Sequence, residues 1–161
     1  MNLSEVIPRE QVYVVEDQFA DKTAALKHLF DLCVAGTPLE EHRQGIWHTL
    51  LEREQSMSTG IGLGVAIPHC SSEHVSDVHG LIAVLKHELD FDSVDESPVR
   101  IVVLLLMPKK RFERHIKVLA TIARVFNDED TRARVLAASD PDAVFEIVTA
   151  GVAEAGSSSQ G

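Results

Sequence analysis

Cysteine is scarce in this sequence. Its two copies, Cys33 within a helical pattern and Cys70 directly after a histidine, read as reduced thiols and exclude a disulfide-stapled scaffold. No stretch approaches the roughly 18 consecutive apolar residues of a membrane-spanning helix. The opening segment mixes acids with its apolar residues and lacks a signal peptide's apolar run, so a cytoplasmic location is expected. Positive charge is also in deficit, with 15 lysines and arginines against 25 aspartates and glutamates, a formal net charge of −10. That balance argues against non-specific binding to nucleic acid or anionic membranes and favours a partner with a basic face. Internal repeats and an interdomain linker are both missing.

What remains is a globular composition, 45% apolar and 25% charged. A chain of 161 residues suits one domain with a single core. The domain is expected over residues 1–155, with residues 156–161 as a disordered tail.

Alternation around Val12, Tyr13 and Val14 predicts a short strand. Asp21 is placed to cap a helix whose Ala25, Leu26, Leu29, Phe30 and Cys33 recur at helical spacing, and Thr37-Pro38 opens a second helix reaching about Gln55. Val65 to Ile67, His79 to Leu85 and Arg100 to Met107 read as strands, with Ser71 to Asp77 as a polar loop. The third run is apolar on both faces, which places it centrally between two layers of helices. A helix from near Arg111, a short one from Asp128 or Asp130, and a last one from Asp140-Pro141 complete the chain. The expected fold is therefore an α/β sandwich: a mixed sheet of about four or five strands with helices on both faces.

The most informative stretch is Ser58-Thr59-Gly60-Ile61-Gly62-Leu63-Gly64-Val65-Ala66-Ile67-Pro68-His69. Glycines permit a tight turn into a buried strand, and Pro68 is expected to stop ladder pairing so that His69 stands at an exposed strand end. His115 falls in the first turn of the helix after the central strand, where free amides and the positive dipole end suit an anion. Strand ends of one rim would bring the two imidazoles together. Arg53, shortly before the glycine turn, could pair with phosphoryl oxygens through its planar fork.

Other chemistries fit less well. Gly-x-Gly-x-Gly without a following helix matches neither the dinucleotide fingerprint nor the Walker loop. His69, Cys70, His74 and His79 lack the paired spacing of a strong zinc motif, and no metal is assigned to them. Cys70 as a thiol nucleophile would point away from the adjacent His69 on a strand.

With these residues on the page, the chain resembles the enzyme IIA domains of the fructose and mannitol class of the bacterial phosphoenolpyruvate-dependent sugar phosphotransferase system, including their nitrogen-regulatory relatives. The resemblance runs from about Ala20 to Ala150. It rests on the glycine stretch through His69, on Leu89-Asp90-Phe91, on Pro98 to Leu106, and on His115-Ile116-Lys117-Val118-Leu119-Ala120.

It implies a phosphotransferase without a cofactor: His69 takes a phosphoryl group on Nε2 from the histidine-containing phosphocarrier protein (HPr) or its nitrogen-branch relative. His115 is the second active-site histidine, and Arg53 the arginine beside the site. Onward partners would be an enzyme IIB or regulatory target proteins, serving sugar uptake or regulation, and a homodimer is compatible with this. Neither nucleic acid nor membrane insertion is implied. The competing reading is a regulatory binding module of the same fold that performs no phosphoryl turnover. Cys70 departs from the glycine usual after the active histidine, and its side chain would crowd the partner or add redox sensitivity. The basic Lys109-Lys110-Arg111 with Arg114 is a second departure, placed to hold the phosphoryl group. Glu52 and Glu54 are expected as surface acids that meet basic residues of the carrier.

Overall fold

A computed structural model describes the chain from Met1 to Ser158. In chain order the elements are α1 (Leu3–Val6), β1 (Val12–Val15), α2 (Lys22–Val34), α3 (Arg43–Ser56), β2 (Gly60–Gly62), β3 (Val65–Ala66), β4 (His69–Ser72), β5 (His79–Leu89), β6 (Val99–Pro108), α4 (Phe112–Asn127), α5 (Glu129–Ala137) and α6 (Pro141–Ser158). Local signals behave as read. Asp21 Oδ1 accepts from Ala24 N at 2.8 Å to cap α2, and Asp128 caps α5 through Thr131 N at 2.9 Å. Thr37-Pro38 opens a short 3-10 turn over Pro38–His42 before α3 begins.

The sheet order is β1-β5-β6-β3-β2, with β4 also on β6. The central strand β6 runs antiparallel to β5 and parallel to both β3 and β4, and β1 lies parallel to β5. Six strands thus occupy five positions, because β3 and β4 follow one another along the same edge of β6. Alternation along β6 divides the core. Ile101, Val103, Leu105 and Met107 face the layer of α1, α4, α5 and α6, while Val102, Leu104 and Leu106 face α2 and α3. Each of these buried aliphatic side chains contributes roughly 1.5–3 kcal/mol, which is why the uninterrupted run could form only at the centre of the sheet.

Two expectations need correction. The ladder does not end at Pro68. Proline lacks an amide donor, but its carbonyl still accepts from Leu105 N at 3.0 Å, and pairing resumes at His69 opposite Leu105 in the register that Val65 and Ile101 began. His69 therefore starts a strand rather than ending one, and Ser71 and Ser72, read as loop, belong to β4. The last helix also runs through Ser158, anchored by buried Val152 and Ala155, so Gly156 to Ser158 are helical rather than part of a tail. Residues 159–161 of that expected tail lie outside the described residues.

The glycine stretch forms a two-residue hairpin between β2 and β3. Leu63 and Gly64 both have positive φ, 61° and 78°, as the twist of a tight hairpin demands. Leu63 is a strained choice there, and Asp95 offsets it by accepting from Leu63 N at 3.0 Å. At Gly60 the need is space, since a Cβ would sit 2.4 Å from Ser93 Oγ and 3.0 Å from the Ser93 Cα.

Behind the hairpin lies a buried carboxylate. Glu54, only 3% exposed, accepts from Thr59 N at 3.0 Å and Thr59 Oγ1 at 2.6 Å, and pairs with Lys22 Nζ at 3.0 Å. Glu54 is thus a clamp joining α2, α3 and the hairpin, not the surface acid expected, because the last turn of α3 points it inward. Glu54→Ala is expected to lower unfolding free energy by on the order of 3 kcal/mol, since both Thr59 donors lose this acceptor and Lys22 loses its buried partner. Urea unfolding checks this, and a variant as stable as the parent would remove the clamp.

Candidate functional site

A cleft of about 310 Å³ opens where α3, β4, β6 and α4 converge. Thr49 and Arg53 reach it from α3, His69, Cys70 and Ser71 from β4, Met107 from β6, and His115, Ile116 and Leu119 from α4. The three residues singled out from the sequence, His69, His115 and Arg53, are therefore brought to one place. They arrive from elements far apart in the chain because β4 and β6 run parallel and α4 folds back over the sheet after β6. Thr49 and Ser71 were not anticipated. Thr49 was findable, lying four residues before Arg53 on the same helix face.

His69 is half-buried, and its Nδ1 lies 2.7 Å from the Ile67 carbonyl oxygen. A carbonyl only accepts, so Nδ1 carries the proton and Nε2 keeps its lone pair. Burial, chiefly, holds this imidazole below its ordinary pKa. The Ile67 hydrogen bond pulls the other way, Arg53 adds to the lowering, and Glu54 opposes it. Arg53 is itself oriented, donating from Nη1 to the Met57 carbonyl at 2.8 Å.

His115 is 4% exposed, and its Nε2 is buried with no hydrogen-bond partner among the described residues. Leaving such an atom unpaired costs about 1–3 kcal/mol, which sets this ring of the cleft wall apart from a satisfied core histidine. Burial, then Arg114, lowers its pKa below the ordinary histidine value. Ile116 is 49% exposed at the rim of the cleft.

Several sequence-level alternatives come apart in three dimensions. Cys70 packs into the core with α2 and α3 on the opposite face from His69, is 4% exposed, and burial pushes its thiol up to about 12. It contributes to the cleft wall, yet this burial leaves it no ready thiolate. His79 Nε2 bonds the Cys33 carbonyl at 2.9 Å, and His74 stacks on His42 with ring centroids 4.0 Å apart. Among the described residues, no cluster of three or more candidate ligands could hold a metal ion. Glu52 is exposed and paired with His48 at 3.1 Å. Lys109, Lys110 and Arg111 line a separate cleft with Glu73 and Ser76, beside the histidine cleft rather than in it.

Because the fold lowers both imidazole pKa values, the unfolded chain binds more protons below the ordinary histidine pKa of about 6.5. The stability these neutral rings contribute is present above that pH and is lost as pH falls toward their folded values. The double variant His69→Gln/His115→Gln is therefore expected to lose less stability than the parent between neutral and mildly acidic pH. Denaturant unfolding at matched pH values checks it, and parallel losses in the two proteins would contradict it.

Similarity to known proteins agrees with this geometry. Residues 5–151 match the model of the family described as phosphoenolpyruvate-dependent sugar phosphotransferase system, EIIA 2. A nitrogen regulatory protein of Bradyrhizobium diazoefficiens is 36% identical over 67% of this chain and 71% of its own length. A fructose-specific EIIA component of the phosphotransferase system from Haloferax volcanii is 30% identical over 91% of this chain and 94% of its own. Among solved structures, the nitrogen regulatory protein IIA-Ntr of Neisseria meningitidis superposes with a TM-score of 0.81 at 25% identity, covering 91% of this chain and 98% of that one. No helix among the described residues is long and apolar enough to cross a membrane. The chain belongs to the EIIA 2 family of the phosphoenolpyruvate-dependent sugar phosphotransferase system.

Proposed function

We propose that this protein is a phosphoryl carrier in which His69 receives a phosphoryl group from an HPr-type phosphocarrier and passes it to an enzyme IIB or a regulatory target. The observation that carries the reading is the Nδ1 contact to the Ile67 carbonyl, which leaves Nε2 as the free nitrogen of a ring lining the cleft. In the transfer, the Nε2 lone pair attacks phosphorus as the carrier's own N–P bond breaks, and that bond's electron pair returns to the carrier's imidazole. One N–P bond forms for one lost, so the exchange is reversible and suits a relay.

Such a transfer depends on alignment and on compensation of negative charge more than on covalent help. Arg53, tethered to Met57, supplies a fixed positive charge at the cleft, and the unpaired Nε2 of buried His115 is the group that meets the phosphoryl oxygens. The lowered pKa of His69 favours the neutral, nucleophilic ring at neutral pH.

Incubation with phosphoenolpyruvate, enzyme I and HPr should add the mass of one phosphoryl group in acid-labile form. His69→Ala is expected to abolish the label while leaving the fold intact by circular dichroism. His115→Ala should still take label but pass it on at least about tenfold more slowly, in line with loss of one charge-stabilising contact. Equal labelling of His69→Ala and the parent would overturn the assignment, and a correctly folded parent that takes no label would favour a binding module without turnover. Passage of label to a IIB cysteine would identify the transport branch, and retention with every IIB tested would identify the regulatory one.

A further inference from the structure

The chain carries −10 overall, yet its charge is strongly uneven. Between Lys109 and Arg124 six cations stand against the single acid Glu113, leaving +5 on that segment and −15 on the rest. This segment is the loop after β6 and the outer side of α4, the helix that brings His115 and Ile116 to the cleft.

Outside this region four of the nine lysines and arginines form ion pairs with carboxylates among the described residues. Arg9 pairs with Asp142 and Glu146, Lys22 with Glu54 and Asp92, Lys27 with Asp31, and Arg43 with Asp31 and Glu40. By contrast Lys109, Lys110, Arg114 and Lys117 are exposed and have no ion-pair partner among the described residues. Five cations and one acid fall within the nine positions 109–117, and an acid-rich chain leaves four of those cations without an ion pair among the described residues.

The apolar element of the same surface is Ile116, 49% exposed between Arg114 and Lys117, with Leu119 deeper in the cleft. Met57, 70% exposed, stands at the end of α3 where its carbonyl holds Arg53. An apolar centre with a charged rim is the anatomy of a protein docking surface. A duplex or an anionic bilayer would extend past this strip onto surface of the opposite sign, so a compact partner fits better than either polyanion.

We infer that Lys109, Lys110 and Arg114 form the basic edge of a docking surface beside the His69 cleft for a phosphotransfer partner with an acidic face. This rests on the phosphoryl-carrier reading and reverses the expectation, drawn from net charge alone, of a basic partner face. Complementary potential at the rim acts mainly on the rate of encounter and less on the transfer within the complex.

The test uses the full chain, with phosphorylated HPr-type carrier from the same organism as donor. Lys109→Glu/Lys110→Glu is expected to lower the second-order rate of phosphoryl transfer by about tenfold or more at low ionic strength, with the gap closing as salt rises. The same final label at His69 should be reached on long incubation. Lys86→Glu is the control, an exposed and unpaired lysine toward the end of β5 farthest from the cleft, and it should change the rate little. An unchanged or faster rate for the double variant would overturn the inference, as would preferential binding of the parent to duplex DNA or phosphatidylserine vesicles. Titration of unphosphorylated carrier against the same variants reads the charge effect independently. Weakened binding there would support the acidic partner even if the parent took no label, a result that would sink the His69 reading alone.

Discussion

The parallel pairing of β4 with β6 is the constraint on which the site depends. Pro68 removes one donor from the ladder, but its carbonyl keeps the bond to Leu105, so the chain re-enters the sheet without slipping. Side chains alternate along a strand, and a slip of one residue would have sent His69 into the α2–α3 core and Cys70 toward α4. The retained register instead leaves the imidazole at the cleft and seals the thiol in the interior, where its pKa of about 12 keeps it inert. The contact between His69 Nδ1 and the Ile67 carbonyl follows from the same local backbone, so one stretch sets both the position and the tautomer of the ring.

That stretch needs support from behind, which Glu54 provides. A charged group buried to this degree persists only when its partners are in place, and Lys22, the Thr59 amide and the Thr59 hydroxyl supply them. Thr59 in turn accepts from Ile67 N through its carbonyl at 3.0 Å, the residue whose own carbonyl bonds His69. A chain of contacts thus runs from a buried ion pair to Nδ1 of the His69 ring. The Asp95 cap on the hairpin and the bond from Ser58 Oγ to the Phe91 carbonyl at 2.6 Å tie the same turn to the acidic loop before β6. The loop's acids are, in part, structural.

Electrostatics divides the surface in a way that composition conceals. Ion pairs elsewhere hold Arg9, Lys22, Lys27 and Arg43, while the loop and helix after β6 keep Lys109, Lys110 and Arg114 exposed. Both cleft imidazoles are held toward their neutral forms by burial, so the positive potential there comes from arginine and lysine rather than from histidine. An anion arriving at Nε2 therefore meets charges that do not change with modest shifts of pH.

How much was legible beforehand follows from the range of each signal. Caps, helical spacing and the doubly apolar run at Arg100 to Met107 are local, and they located α2, α4 and the central strand before any contact was known. His69, His115 and Arg53 could be named because glycine framing, helix position and motif spacing are written along the chain. The inward turn of Glu54, the opposite facing of Cys70, the continuation of β4 past Pro68 and the exposure of Ile116 could not be read, since each depends on which distant segment supplies a partner or a covering layer. Sequence by itself determined most of the elements and the residue types they carry. Tertiary structure alone decided which groups share a cleft, because hydrogen bonding and burial are settled by neighbours that arrive from elsewhere in the chain.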